Sequence, residues 1–296
     1  MPSNDYAEYD QPDSLTARRP WIAKILSSDQ PRLNVLLFFL TCFSTFFIHF
    51  WPERDIAAGL WYSAGIMAIL FCHEMGHYLM CVRYGIRATL PFFIPFPSFP
   101  FGTLGAVIRM DARMPTRRVL FDIGVAGPLA GLLVTLPAIY FGLAMSEVKN
   151  TADLQNAVKS VDPLLFKWII ELVKGPLPAG HDVLLHPLAY AGWAGLFVTA
   201  LNLLPIGQLD GGHILYALLG ERSQQIFPVT MASFALICIV VYPFWVLMIL
   251  MLLWFGYRHP PTDYDAEPLD FKRQVVACMT FLIFAFSFTP VPFHFY

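Results

Sequence analysis

Residues 56–82 read IAAGLWYSAGIMAILFCHEMGHYLMCV and combine a long apolar run with a cluster of ionisable side chains. The run contains no Lys, Arg or Asp and a single Glu. A hydrocarbon layer about 30 Å thick needs roughly 20 mainly apolar helical residues to cross it, and this stretch is long enough. Inside it, His73, Glu74 and His77 form the pattern H-E-x-x-H.

The spacing of these three residues is that of a metal site on a helix. Residues four apart share a helix face, so His73 and His77 can direct their imidazoles at one ion. Glu74 lies beside them and can act as a general base on water. In a soluble protein a bare match is more often two histidines packed in a core. At membrane depth, however, idle ionisable groups are costly, which favours a functional site.

The composition extends the membrane interpretation to the whole chain. Of 296 residues, 57% are hydrophobic and 14% charged, against about 25% charged in soluble domains. A net charge of −2 does not suggest nucleic acid as a partner. We expect an all-α polytopic membrane protein with about six to seven transmembrane helices. The predicted spans are Leu33–Trp51, Ile56–Val82, Val119–Met145, Leu188–Leu204, Phe227–Phe255 and Val275–Phe288.

The run at Phe227–Phe255 leaves the number of crossings open. It is long for one crossing and contains Pro243, and proline in a helix interior kinks or breaks the helix. Two short helices in a hairpin are one interpretation, and a single kinked span is the other.

Basic residues beside the spans predict the orientation. One cluster precedes the first span, a second follows the second span and a third precedes the third span, which places all three on the cytoplasmic side. The clusters are Arg18, Arg19, Lys24 and Arg32, then Arg83 and Arg87, and then Arg109, Arg113, Arg117 and Arg118. Residues 1–32 are expected to be a polar cytoplasmic segment that is retained, because they lack the pattern of a signal peptide. Residues 33–296 are expected to form a single membrane-embedded domain.

The segment at residues 90–110, LPFFIPFPSFPFGTLGAVIRM, contains four prolines and cannot be a continuous helix. It is also strongly apolar, and irregular backbone at membrane depth must be buried in protein or line a wet cavity. We therefore predict a small re-entrant loop or β-hairpin after the second span, with Gly102 and Gly105 at the bends. A free strand edge there could hold an extended peptide.

A catalytic zinc ion usually has three protein ligands and one open position, so a third ligand is expected elsewhere. Asp210 follows an apolar run and precedes Gly211 and Gly212. It could instead be the N-cap of the next helix, and His213 is a competing ligand. Asn202 could place an amide near the metal to stabilise an oxyanion, with helix packing as its alternative role.

Taken together, HEMGH at His73–His77 and NLLPIGQLDGG at Asn202–Gly212 resemble the two motifs of the site-2 protease family of intramembrane zinc metalloproteases. DIGVAGPLAG at Asp122–Gly131 is similar to the small-residue segment between those motifs, and its G-x-x-x-G pair predicts close packing against the metal-bearing helix. The similarity covers roughly Ile66 to Gly220. GTLGAVIRM, RHPP and FTPVPF look like a prokaryotic and plastid branch of the family.

The resemblance implies a function and a set of roles. His73, His77 and Asp210 would bind one Zn²⁺ per chain, Glu74 would be the base, and Asn202 would assist near the scissile carbonyl. The catalytic core would lie at about residues 56–220. The substrate would be a membrane-anchored protein cleaved in or near its transmembrane segment during regulated proteolysis, with a transcription regulator or an anti-sigma-like factor as candidates.

Two features depart from many relatives. The stretch Ser146–Pro187 is too short for a PDZ domain, and we expect no CBS pair at the C-terminus. We therefore expect the membrane part or other proteins to select substrates. The expected location is a bacterial inner membrane, with the active site near the cytoplasmic side. A membrane transporter or metal-ion carrier using the same cluster is the alternative function, and a silent binding protein is a third.

Overall fold

The computed structural model describes residues 31–52, 54–98, 100–111, 114–151, 159–240, 246, 249–250, 259–263 and 267–294. Almost all of the polar N-terminal segment 1–32 lies outside these residues. So does most of the second half of 227–255, where a hairpin and a kinked span were the two interpretations.

The described part of the chain is mostly helical. Its α-helices are α1 (Pro31–Phe50), α2 (Ile56–Tyr84), α3 (Arg117–Met145), α4 (Leu164–Lys174), α5 (Pro187–Asn202), α6 (Asp210–Leu219), α7 (Ser223–Val240) and α8 (Phe271–Ser287). By length and composition α1, α2 and α3, of 20, 29 and 29 residues, are candidate membrane spans. Helices α5 and α8 have 16 and 17 residues. The count of six to seven crossings stays a prediction.

Local signals set the bounds of α2, the helix that carries H-E-x-x-H. Its N-cap is Asp55, whose carboxylate accepts hydrogen bonds from the backbone N–H groups of Ala57 and Ala58, which have no partner within the helix. It ends at Gly85, whose φ of 69° is the left-handed conformation that glycine adopts readily. Helix α2 therefore begins at Ile56, as the sequence predicts, and ends at Tyr84, two residues beyond the predicted end at Val82.

Small residues bring α2, α3 and α5 together in the centre of the molecule. A Cβ added to Gly142 on α3 would lie 2.2 Å from the backbone nitrogen of Ala189 on α5. One added to Gly65 on α2 would lie 2.9 Å from the Cβ of Ala191. Lipid is as apolar as a leucine side chain, so helices in a membrane associate through such close packing rather than by hydrophobic exclusion.

The loop after α2 contains an antiparallel strand pair, β1 (Phe92–Pro95) and β2 (Thr103–Val107), with an irregularity between Phe93 and Pro95. Gly102 has a φ of 75°, and a Cβ there would lie 2.8 Å from the Cα of Thr45 on α1. The pair is therefore pressed against the first helix. Its depth in the membrane stays a prediction.

The other strands lie between α3 and α5 and after α8. β3 (Glu147–Asn150) pairs antiparallel with β5 (His181–Leu184), and α4 lies between them in sequence. The two-residue strands β4 (Lys159–Ser160) and β6 (Phe293–His294) pair antiparallel. These contacts join the segment before α4 to the chain after α8.

Candidate metal centre and active site

The histidines of H-E-x-x-H lie on the inner side of α2. His73, Glu74 and His77 are 4%, 6% and 4% exposed. The two histidine rings are 5.0 Å apart between centroids, and their Nε2 atoms are 3.3 Å apart. The helical repeat thus directs both imidazoles at one point, as the four-residue spacing predicts.

Asp210 reaches the same point from the first turn of α6. One carboxylate oxygen, Oδ2, lies 3.2 Å from Nε2 of His73, and the other, Oδ1, lies 3.3 Å from Nε2 of His77. The N-cap of α6 is Leu209. Asp210 is therefore not the helix cap, which was the alternative role for it.

The two glycines after Asp210 explain how this turn fits. A Cβ on Gly211 would lie 2.0 Å from the backbone oxygen of Leu203, and one on Gly212 would lie 2.2 Å from that of Gly207. The start of α6 therefore packs directly on the backbone of the preceding turn. A side chain at either position would displace the helix that carries the carboxylate.

The donor set fits a zinc ion. Ligand atoms 2.0–2.1 Å from a tetrahedral zinc ion are about 3.3 Å from one another. The two Nε2 atoms here are 3.3 Å apart, and each has one carboxylate oxygen of Asp210 at 3.2 or 3.3 Å, Oδ2 for His73 and Oδ1 for His77. Two imidazoles and a carboxylate are ordinary zinc ligands. Buried Oδ2 of Asp210 also has no hydrogen-bond partner among the described residues, as expected of an atom whose partner is a cation.

A backbone carbonyl on α3 orients His77. Nδ1 of His77 lies 2.8 Å from the carbonyl oxygen of Ile123. Because a carbonyl only accepts, Nδ1 carries the proton, which leaves Nε2 with the lone pair that a metal ion requires.

The glycines of α3 make room for the imidazoles. A Cβ on Gly127 would lie 2.0 Å from Nε2 of His77, and one on Gly131 would lie 3.3 Å from Nδ1 of His73. Gly124 continues the same helix face, and a Cβ added there would lie 3.1 Å from the Cβ of His213. The predicted close approach of the G-x-x-x-G segment to the metal-bearing helix is confirmed.

Glu74 and Asn202 border the cluster on different sides. Glu74 lies beside the backbone of Ile108, just beyond β2, so the end of the strand pair lies next to this carboxylate. Asn202, the last residue of α5, has its Nδ2 3.2 Å from Nε2 of His73. The amide therefore points at the cluster instead of packing between helices.

His213, the competing third ligand, faces away from the cluster. Its Nδ1 lies 2.6 Å from Nε2 of His259, whose own Nδ1 donates to the carbonyl of Pro260. The only group of three metal-ligating side chains found within the described ranges is His73, His77 and Asp210.

Sequence reasoning missed two participants, the Ile123 carbonyl and His259. A backbone carbonyl leaves no trace in side-chain patterns. His259 was visible only in RHPP as part of a family likeness, and no spacing pointed to its contact with α6.

Comparison with known proteins agrees with this geometry. The model of "Peptidase family M50" matches residues 61–247, which include both motifs. "Probable zinc metalloprotease EGY1, chloroplastic" from Oryza sativa subsp. japonica is 36% identical over 163 residues, covering 53% of this chain and 28% of that protein. The protein of the same name from Arabidopsis thaliana is 33% identical over 180 residues, covering 58% of this chain and 32% of that protein.

A third relative, "Probable zinc metalloprotease EGY2, chloroplastic" from Arabidopsis thaliana, is 33% identical over 156 residues, covering 52% of this chain and 28% of that protein. The chain thus spans less than a third of the length of these relatives. The family match extends over more than half of the chain and contains the whole candidate metal centre. The chain therefore belongs to peptidase family M50, the site-2 protease family that its two motifs resemble.

Proposed function

We propose that this protein is an intramembrane zinc metalloprotease that hydrolyses a peptide bond in or near the transmembrane segment of a membrane-anchored substrate. One observation carries the proposal: His73, His77 and Asp210 converge with the mutual spacing of zinc ligands, beside a buried Glu74, on helices of an integral membrane protein. The relatives are named as probable zinc metalloproteases, which agrees with this activity.

Each of the five site residues has a role that follows from its position. His73, His77 and Asp210 would hold the ion, and the Ile123 carbonyl would keep His77 in the binding tautomer. When bound, zinc supplies a Lewis acid that activates water and polarises a carbonyl group. Glu74 would accept the proton of the attacking water and pass it to the leaving amine. Asn202 would donate its amide N–H to the developing oxyanion.

The strand pair is the proposed guide for the substrate. A transmembrane helix must unwind before its peptide bonds can be reached, and an extended segment can then add to a free strand edge. The proximity of Glu74 to the backbone of Ile108, at the end of β2, supports this role. We propose that this hairpin is re-entrant, as its apolar and proline-rich sequence indicates.

The proposed topology follows the basic residues. A single membrane domain at 33–296, with its catalytic core at about 56–220, would cross the bilayer six or seven times, and the active site would lie near the cytoplasmic side. The proposed substrates are membrane-anchored regulators, such as a transcription regulator or an anti-sigma-like factor. The bacterial inner membrane stays a prediction; the relatives carry "chloroplastic" in their names.

A Glu74→Gln variant tests the proposal. Membrane fragments from cells with wild-type protein are compared by proteomics with fragments from cells with the variant. We expect fragments of at least one membrane-anchored protein to vanish with Glu74→Gln, while purified variant retains its zinc. Glu171→Gln, on the exposed face of α4, is the matched control and should leave the fragments unchanged. Unaltered cleavage in Glu74→Gln, or zinc transport without cleavage, would contradict the proposal.

A further inference from the structure

The short helix α4 has an apolar surface that extends beyond its contact with the protein core. Phe166 and Ile170 are 0% and 8% exposed and belong to the central cluster. Leu164, Trp168 and Leu172, spaced four residues apart, are 52%, 51% and 76% exposed. We call these last three residues the outer stripe. An outer stripe of this size would be unfavourable in water.

The rest of α4 has one polar edge and one apolar side, and the apolar side, Leu165, Ile169 and Val173, is partly buried against the central cluster. With about 100° of turn per residue, Lys167, Glu171 and Lys174 lie on one edge, between the outer stripe and the buried face. Around the helix the order is therefore core, polar edge, outer stripe. A helix with this order can contact protein, water and a third, apolar medium at once.

Contacts at both ends show how α4 lies relative to the membrane-crossing helices. The Lys174 ammonium donates to the carbonyls of Ala144 and Ser146 at the C-terminal end of α3, at 3.2 and 2.7 Å. Trp168 packs on Phe286, the second-last residue of α8, with ring centroids 4.9 Å apart. Before α4, the N–H of Val161 donates to the carbonyl of Pro292, beyond α8.

Helix α4 therefore runs from the end of α8 to the end of α3, across one end of the bundle. Its 11 residues make it about 16 Å long, too short to cross a bilayer. Because α3 is a candidate membrane span that ends at Met145, a membrane crossed by α3 would have its boundary between hydrocarbon and headgroups near α4.

The outer stripe is continuous with the exposed apolar face of α8. Phe286 follows Leu282 and Met279 on one face of α8, and these two residues are 56% and 58% exposed. In an integral membrane protein such a face contacts lipid. Because Trp168 packs on Phe286, lipid that contacts this face of α8 would also contact the outer stripe of α4.

We propose that α4 is an interfacial helix whose outer stripe, Leu164, Trp168 and Leu172, inserts into the lipid leaflet on the side where α3 and α8 end. Amphipathic helices of this kind bury their apolar face about 5–10 Å into the boundary between headgroups and acyl chains. Tryptophan is enriched at that depth because its ring is apolar and its N–H is polar. The inference does not depend on proteolysis.

The test measures where the outer stripe lies, with full-length protein in lipid nanodiscs. The fluorescence of Trp168 is taken as the difference between wild type and Trp168→Phe. We expect this difference signal to be lost when the lipids carry bromine near the carbonyl end of the acyl chains, and to resist iodide in the water. In the Trp168→Phe background, Leu172→Trp should respond in the same way.

Lys167→Trp in that background is the matched control, because it lies one residue away on the polar edge. It should be quenched by iodide and should resist the brominated lipids. Quenching of Trp168 by iodide alone would mean that the outer stripe faces water, and this would overturn the proposal. Resistance of Trp168 to both quenchers would mean that another protein or a second copy covers the outer stripe, which would overturn it equally.

Discussion

Gly127 and His77 approach so closely that a methyl group on Gly127 would lie 2.0 Å from Nε2 of His77, the nitrogen that faces Asp210. The glycine on α3 and the histidine on α2 therefore form one structural unit. The packing that holds the two helices together also leaves the space in which the His77 imidazole lies.

This contact predicts that Gly127→Ala abolishes zinc binding. The methyl group must displace the His77 ring or separate α2 from α3, and either movement removes one of three ligands. Zinc content of the purified variant, measured by mass spectrometry, should fall to background. Gly131→Ala is the control: its methyl would lie 3.3 Å from the His73 ring, which a small shift can accommodate. Full zinc occupancy in Gly127→Ala would contradict the observed packing.

Chelation distinguishes the two candidate third ligands on α6. Zinc that binds only the folded protein raises Tm. A ligand at a free concentration of about 100 times its Kd raises the free energy of unfolding by about 2.7 kcal/mol. A chelator should therefore lower the Tm of wild type and of His213→Ala, whose ring contacts His259 instead of the cluster. Asp210→Ala should show no such shift. A chelator-sensitive Tm in Asp210→Ala would instead favour His213 as the ligand.

Asn202→Ala should remain folded and retain zinc but lose catalysis. The amide lies 3.2 Å from Nε2 of His73, and removal of one oxyanion donor lowers kcat by about 100- to 1,000-fold in enzymes of known mechanism. Cleavage of a membrane substrate in reconstituted vesicles measures the effect, and zinc content shows that the site is intact. A fall in zinc that matches the fall in activity would mean that Asn202 positions His73 instead.

A charged network outside the metal site is expected to stabilise the packing of α8. Arg273 donates to both carboxylate oxygens of Asp122, at 2.8 and 2.6 Å, and the Tyr84 hydroxyl donates to the same carboxylate at 2.5 Å. Arg273→Gln should lower the free energy of unfolding by about 1–2 kcal/mol, since both partners are only partly exposed.

Arg118→Gln is the matched control for this network. The partner of Arg118 is Glu267, and the two side chains are 48% and 69% exposed. Loss of this ion pair should therefore lower the free energy of unfolding by less than about 1 kcal/mol. Thermal unfolding in one detergent compares the variants. Equal Tm values for Arg273→Gln and Arg118→Gln would show that the Asp122 pair contributes little.

Acid should weaken the start of α8. The backbone N–H of Arg273, and then its guanidinium, hold the pKa of Asp270 below its ordinary value. A depressed pKa means that the carboxylate stabilises the fold above the ordinary aspartate pKa of about 3.9 and loses this effect as pH falls through the lower folded-state value. Tm measured against pH should show this loss in wild type. Asp270→Asn keeps a capping oxygen but cannot titrate, so its Tm should depend less on pH than that of wild type.

The sequence by itself determined the parts of this protein that depend on local chemistry. The four-residue spacing of His73 and His77 places both rings on one face of any helix, and the apolar run around them predicts that this helix crosses a membrane. The two motifs together also indicated the family, which the match over residues 61–247 bears out.

Only the tertiary structure decided how distant segments meet. Asp210 and His213 are one turn apart on α6, and the motif resemblance favoured Asp210 while helix spacing left His213 as a competitor. The packing of Gly211 and Gly212 on the preceding turn aims Asp210 at the histidines. The Ile123 carbonyl that orients His77 has no side-chain signature. The placement of α4 depends on contacts with the ends of α3 and α8. The physical reason is common to all three: side-chain patterns encode each helix face, whereas distances between helices are set by which backbones can approach closely.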